Sequence, residues 1–199
     1  MTVESRLKVV VEGPTDAEII RAILGKELAR KLRFFASQGR ASLATVGRNI
    51  LVHEGGPILL VMDSDTLNPQ HTAELQSMIM VAMSGAITSG VQLPAFPTSS
   101  PAEFMVFTFV PEIEAVFFEA PEAVERAVGK NVPKDKVKEG RLMPKRTLVE
   151  LLNEAKPPRS YQTIIAAMDA EIGQAIASGK QAKALRAMVE SMLVSSAKP

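Results

Sequence analysis

The sequence predicts an α/β protein: a mainly parallel four-stranded sheet flanked by helices, with a helical C-terminal extension. Three observations predict it. Short apolar and β-branched runs alternate with segments of helical period through the first half of the chain. The central run, PILLVMD at 57–63, is apolar until its last residue, as in a parallel strand covered on both faces. Beyond about residue 120 only helical patterning remains, broken by Pro133, Pro144, Pro157 and Pro158.

A first strand is expected over 6–12, where Val9, Val10 and Val11 run into Glu12 and Gly13 closes the run. A helix follows. Pro14 and Thr15 suit its first turn, and Thr15 with Glu18 matches a capping box. Ile19, Ile20, Ile23, Leu24 and Leu28 give it one apolar face. RKLRFFAS at 30–37 reads as the second strand, and a second helix is expected over 41–53, closed by Gly55 and Gly56. The third strand is 57–63, and a third helix runs from Pro69 to about Ala86. LPAFPTSSP at 93–101 reads as a loop and EFMVFTFV at 103–110 as the fourth strand. Two alanine-rich helices are expected at about 160–178 and 180–195. The expected division is a core over 1–120 and a helical extension over 121–199 packed on it. Periodicity leaves open whether the last helices pack on the sheet or make a homodimer contact.

Of the 199 residues, 46% are hydrophobic and 23% charged, which suits a globular protein with a sizeable core. There is no cysteine, which excludes disulfides and thiolate metal sites, and His53 and His71 are the only histidines. Any metal must therefore be a hard cation on oxygen ligands. The net charge is only +1, so a nucleic-acid surface has to be a local patch. No segment reaches the roughly 18 apolar residues of a membrane helix. Charge at Glu4, Arg6, Lys8 and Glu12 interrupts any signal-peptide core. The expectation is a cytoplasmic protein with no membrane partner.

Ligands of open parallel sheets bind outside the carboxyl ends of the strands. Glu12 ends the first strand, and Asp63 and Asp65 end the third. If these strands are neighbours, the carboxylates converge and repel, and a divalent cation removes the conflict. Mg²⁺ takes such oxygen ligands and completes its shell with water. The plainer reading is that an acidic residue after a parallel strand caps the next helix, or that Asp63 or Asp65 opens a turn before Asn68 and Pro69.

VVVEGPTD, then SQGR, then LLVMDSDT resembles the Toprim domain, a Rossmann-like fold. Type IA and type II topoisomerases, bacterial primases, RecR-type repair proteins, small ribonucleases and OLD-family nucleases share it. Glu12-Gly13, Gly39, and Asp63 with Asp65 match its pattern in order, and Asp16 falls where nuclease members often carry a second acidic or polar residue. VPEIEAVFFEAPE at 110–122 resembles a segment of small stand-alone OLD-like proteins of prokaryotes and adds Glu112 and Glu114. The resemblance covers about 1–120. It implies phosphodiester hydrolysis in nucleic acid, DNA rather than RNA, with two Mg²⁺ or Mn²⁺ ions. Asp63 and Asp65 would hold one ion, Glu12 with Asp16 would share or hold the other, and Glu112 and Glu114 would complete the second site. The plainer reading of Glu112 and Glu114 is charge complementarity at a helix N-terminus. Lys145 is the candidate for stabilising charge at the scissile phosphate, which makes Glu12, Asp63, Asp65 and Lys145 the catalytic set.

Residues 134–146 carry six basic and two acidic side chains. Lys136, Lys138, Arg141, Lys145 and Arg146 are therefore candidates for the phosphate backbone, unless the segment is a solvated loop. Arg40 and Arg48 flank the glycine turn and either reach a phosphate or face water. IASGKQ at 176–181 lacks the upstream glycine and the Ser/Thr of a P-loop, so ATPase activity through that motif would need a separate partner. Competing readings are a non-catalytic Toprim module that binds nucleic acid or a protein, and a metal-dependent nucleotide-sugar transferase.

Overall fold

The computed structural model describes residues 7–88, 104–166, 168 and 170–196. Its sheet contains β1 (Leu7–Val11), β2 (Leu32–Ala36), β3 (Ile58–Asp63) and β4 (Phe104–Phe109) in the order β2-β1-β3-β4, with every pairing parallel. The connecting helices are α1 (Pro14–Ala29), α2 (Arg40–Glu54) and α3 (Pro69–Thr88). This is the α/β Toprim-like arrangement the sequence predicts. β1 and β3 are neighbours, with Val10 opposite Leu60, so their carboxyl ends meet at one edge.

Side chains alternate across a strand, and the central strands feed two cores. Leu7, Val9, Val11, Leu59, Val61, Phe107 and Phe109 pack against α1 and the C-terminal helices. Val10, Ile58, Leu60 and Met62 pack on the other face against Leu43, Ile50 and Leu51 of α2 and Ile79 and Met83 of α3. Gly47 lets α2 lie close to the sheet: a Cβ there would stand 3.0 Å from Leu60 Cδ2 and 3.1 Å from Met83 Sδ.

After β4 come α4 (Ala115–Glu119), α5 (Pro121–Val128), α6 (Lys134–Leu142), α7 (Pro144–Asn153), α8 (Tyr161–Ala166), α9 (Ala170–Ala177) and α10 (Lys180–Ser196). Phe117, Phe118, Leu148, Leu151, Ile176, Leu185 and Val189 of these helices join the first core. Gln181 ties α10 to the sheet. Its amide accepts the Val110 N–H at 2.7 Å and donates to the Val110 carbonyl at 3.0 Å, as a neighbouring strand would.

Some local expectations need correction. The cap of α1 is Gly13, not Thr15 with Glu18; the Asp16 carboxylate accepts the Gly13 N–H at 2.8 Å, and Pro14 opens the helix. Asp16 is three residues past the cap and so takes the place the sequence reading gave to Glu18. α1 is broken at Gly25 (φ 74°), and Arg186 donates to the Ile23 and Leu24 carbonyls at 3.3 and 2.8 Å. The single helix expected over 160–178 is two, α8 and α9. Residues 134–146 form α6 and the start of α7 rather than a loop. The loop expected at 93–101 lies outside the described residues. Among those described, no helix is long and apolar enough to cross a membrane.

Candidate metal and phosphate site at the carboxyl edge of the sheet

Glu12 follows β1 directly, and the next turn holds its backbone. The Gly39 N–H donates to the Glu12 carbonyl and the Ser37 N–H to the Val11 carbonyl, both at 2.8 Å. Gly39 has φ 115°, a conformation that disfavours any Cβ, so the glycine turn is a steric requirement of the site. Glu12 Oε1 accepts the Asp63 N–H at 3.1 Å, across the β1–β3 seam, and faces Arg40 Nε at 3.4 Å. Arg40 is the first residue of α2, and its Nη2 donates to Asp65 Oδ2. Asp65, with φ 52° and more than half of its side chain exposed, is held by its N–H on the Pro111 carbonyl at 2.8 Å.

The second half of the edge centres on a buried glutamate, with half-buried Asp63 and exposed Lys145 beside it. Asp63 Oδ1 accepts the Ile113 N–H at 2.8 Å. Glu114, only 1% exposed, enters at the start of α4. Its Oε1 accepts the Tyr161 hydroxyl at 2.5 Å and faces Lys145 Nζ at 3.3 Å, while its Oε2 is buried with no hydrogen-bond partner among the described residues. Lys145 Nζ also lies 5.7 Å from the Tyr161 ring centre. Glu112 does not join this pair; its Oε2 accepts the Lys145 N–H at 3.0 Å and so complements the N-terminus of α7.

Charge in this half is under-compensated. Burial pushes the Asp63 carboxyl up to about 8, and the charges of Glu114, Asp16 and Glu12 push the same way against the Ile113 hydrogen bond. Burial also raises Asp16, against its hydrogen bond from Gly13, with Glu114 and Glu12 adding to the rise. Burial lowers the Lys145 ammonium, but Glu114, with Asp16 and Asp63, outweighs it and holds the group above its ordinary value. Burial and the Glu114 charge push the Tyr161 hydroxyl up, so it stays a donor.

The basic candidates divide. Arg40 and Lys145 are in the site, each against carboxylates. Arg146 pairs with Glu150 at 2.9 Å, and Lys136 lies between Glu139 and Glu150 at 2.8 and 3.5 Å. Arg141 donates to the Phe118 carbonyl at 3.2 Å, Lys138 is exposed, and half-buried Arg48 lies farther along α2. Asp65, Glu112 and Arg146 line a cleft of about 330 Å³ with Pro111, Leu142 and Met143. Sequence reasoning missed Tyr161, and only its being the chain's single tyrosine marks it.

The donors fit a hard cation: the carboxylates are oxygen ligands, and the unpartnered Glu114 Oε2 lies among mutually repelling acids. Glu12, Asp16, Asp63 and Glu114 could hold it. They do not yet close on one point, and among the described residues no group of three or more acidic or histidine side chains stands ready to hold an ion. Arg40 and Lys145 occupy part of the donor set instead.

No family model and no curated protein matches the sequence. Among solved structures, the C-terminal region of the Burkholderia pseudomallei OLD protein is similar, with a TM-score of 0.50 and 11% identity over 95% of this chain and 98% of that one. The C-terminal region of the Xanthomonas campestris pv. campestris OLD protein aligns at TM-score 0.45 and 14% identity, over 95% and 98% of the two chains. The likeness to the Burkholderia protein is one of fold: the sheet and the helices that follow it have a counterpart in an OLD C-terminal region.

Proposed function

We propose that the chain is a Mg²⁺- or Mn²⁺-dependent nuclease of the OLD type that hydrolyses phosphodiester bonds, with DNA as the preferred substrate. One observation carries this reading: Glu12, Asp16, Asp63 and Glu114 are electrostatic neighbours at one sheet edge, where one Glu114 oxygen is buried without a partner among the described residues, beside Lys145. A bound divalent ion supplies a polarised phosphate oxygen and an acidified water. The chain's own part is to fix the acids. The Glu12 carboxylate is set by the Asp63 N–H, Asp63 by the Ile113 N–H, and Asp16 by the Gly13 N–H. Lys145, which here faces Glu114, would meet the charge that develops on a phosphate oxygen. Arg40 answers Glu12 and Asp65, and from there it would turn to a phosphate.

A non-catalytic module that binds nucleic acid or a partner protein is the second reading. What favours it is that Arg40 and Lys145 already neutralise part of the acidic set. Cleavage of supercoiled plasmid, single-stranded DNA and structured RNA with Mg²⁺ or Mn²⁺ separates the two. Metal-dependent cutting lost in Asp63→Ala/Asp65→Ala is expected for the nuclease. No cutting of any substrate by the wild type favours the module, and equal cutting by both proteins would rule this edge out as the active centre.

A further inference from the structure

The two oxygens of Glu114 are unlike. Oε1 is saturated by the Tyr161 hydroxyl at 2.5 Å and the Lys145 ammonium at 3.3 Å. Oε2 is buried without a partner among the described residues. A buried carboxylate oxygen is costly unless a donor or a cation meets it. Tyr161 does more than donate one hydrogen bond, because Lys145 Nζ also lies 5.7 Å from its ring centre. One side chain on α8 thus holds both members of the ion pair, 47 residues along the chain from Glu114. Without the hydroxyl, the carboxylate is free to turn and give either oxygen to Lys145.

We infer that Tyr161 is a positioning residue: with Lys145 it fixes Glu114 Oε1 and so leaves Oε2 as the oxygen offered to a divalent cation. This rests on the proposed metal chemistry and extends the site into the C-terminal helices. α8 is then a working part of the centre, and its seating between α1 and α7 sets how Glu114 faces the metal.

Tyr161 is the only tyrosine and there is no tryptophan, so intrinsic emission reports this one hydroxyl. The full chain, freed of metal with a chelator, is titrated with Mg²⁺ while binding heat and tyrosine emission are followed together. Wild type is compared with Tyr161→Phe and Glu114→Gln. The expected result is a saturable emission change that tracks the binding heat and disappears in Glu114→Gln. Tyr161→Phe should bind Mg²⁺ about tenfold more weakly and recover cleavage at high Mg²⁺. A purely structural hydroxyl would lower the melting temperature and leave Mg²⁺ affinity unchanged. Binding heat with flat emission, or wild-type affinity in a folded Tyr161→Phe, overturns the assignment of Tyr161 and leaves the metal reading standing. No binding heat in the wild type overturns both. If Tyr161→Phe does not fold, the emission contrast between wild type and Glu114→Gln decides the matter.

Discussion

Arg40 and Lys145 both answer carboxylates at the same sheet edge, in different solvent. Arg40 opens α2 and bridges Glu12 and Asp65, whose side chains are 21% and 58% exposed. Lys145, in the first turn of α7, meets Glu114, which is 1% exposed. On the open side water shares in screening the charges, so the pairing is weak and exchangeable. On the other side Glu114 is the buried member and takes its partners from the chain, although Lys145 is itself 58% exposed, and among the described residues one Glu114 oxygen has no partner. The comparison teaches where a cation from solution would be felt most. It is the Glu114 half, where Asp63, Asp16 and Glu114 repel one another, that gains from added positive charge.

The largest expected effect comes from removing charge in the Glu114 half. Burial, with Glu114, Asp16 and Glu12 adding to it, pushes the Asp63 carboxyl up to about 8 in the folded chain, from an ordinary value of 3.8. A carboxyl raised in this way contributes stability that is full below about pH 4 and is lost as pH rises through about 8. Asp63→Asn keeps an acceptor for the Ile113 N–H and escapes that loss. In chelator-treated protein at pH 9 it should be more stable than wild type by about 2–4 kcal/mol, less than the full linkage because the site relaxes and admits water. Urea unfolding at pH 5, 7 and 9 checks this. A gap that fails to widen with pH would mean that Asp63 is not strained by its neighbours.

A smaller effect is expected at Lys145. Lys145→Met leaves the Glu114 carboxylate with Tyr161 alone and should cost about 2 kcal/mol in the same assay, less than a fully buried pair because the lysine itself reaches water. The smallest is Arg40→Met. Glu12 keeps its hydrogen bond from Asp63 and Asp65 is solvated, so the cost should stay within about 1 kcal/mol. Equal losses from Lys145→Met and Arg40→Met would erase the distinction between the two halves.

The open half was the more legible of the two in the sequence. The valine run ending on Glu12 locates this part of the sheet edge, and Gly39 marks a turn that its φ of 115° explains. These signals are local, because strand, turn and carboxylate are consecutive. The Glu114 half is assembled from Asp63, Glu114, Lys145 and Tyr161, which are far apart in sequence. An Ala-rich helical pattern gives no hint that Tyr161 will face a glutamate. The break between α8 and α9 was invisible for a related reason: alanine, isoleucine and methionine continue a helical period whether or not the chain turns. Lys136 and Arg146 read as a phosphate patch when charges alone are counted. Their spacings to Glu139 and Glu150, three and four residues, already predict the internal pairs that form. The helix cap shows how close competitors can be. Asp16 lies in the first turn and Glu18 just beyond it, and the cap at Gly13 places Asp16, not Glu18, three residues on.

Gln181 has a consequence for how the protein is made. Its amide closes the peptide groups of Val110 from 71 residues farther along, and Glu112 and Glu114 lie shortly after Val110. As the chain leaves the ribosome, the acidic residues are therefore synthesised long before the latch that finishes their edge of the sheet. Until residue 181 has emerged, the peptide groups of Val110 lack the partner that closes them in the folded chain.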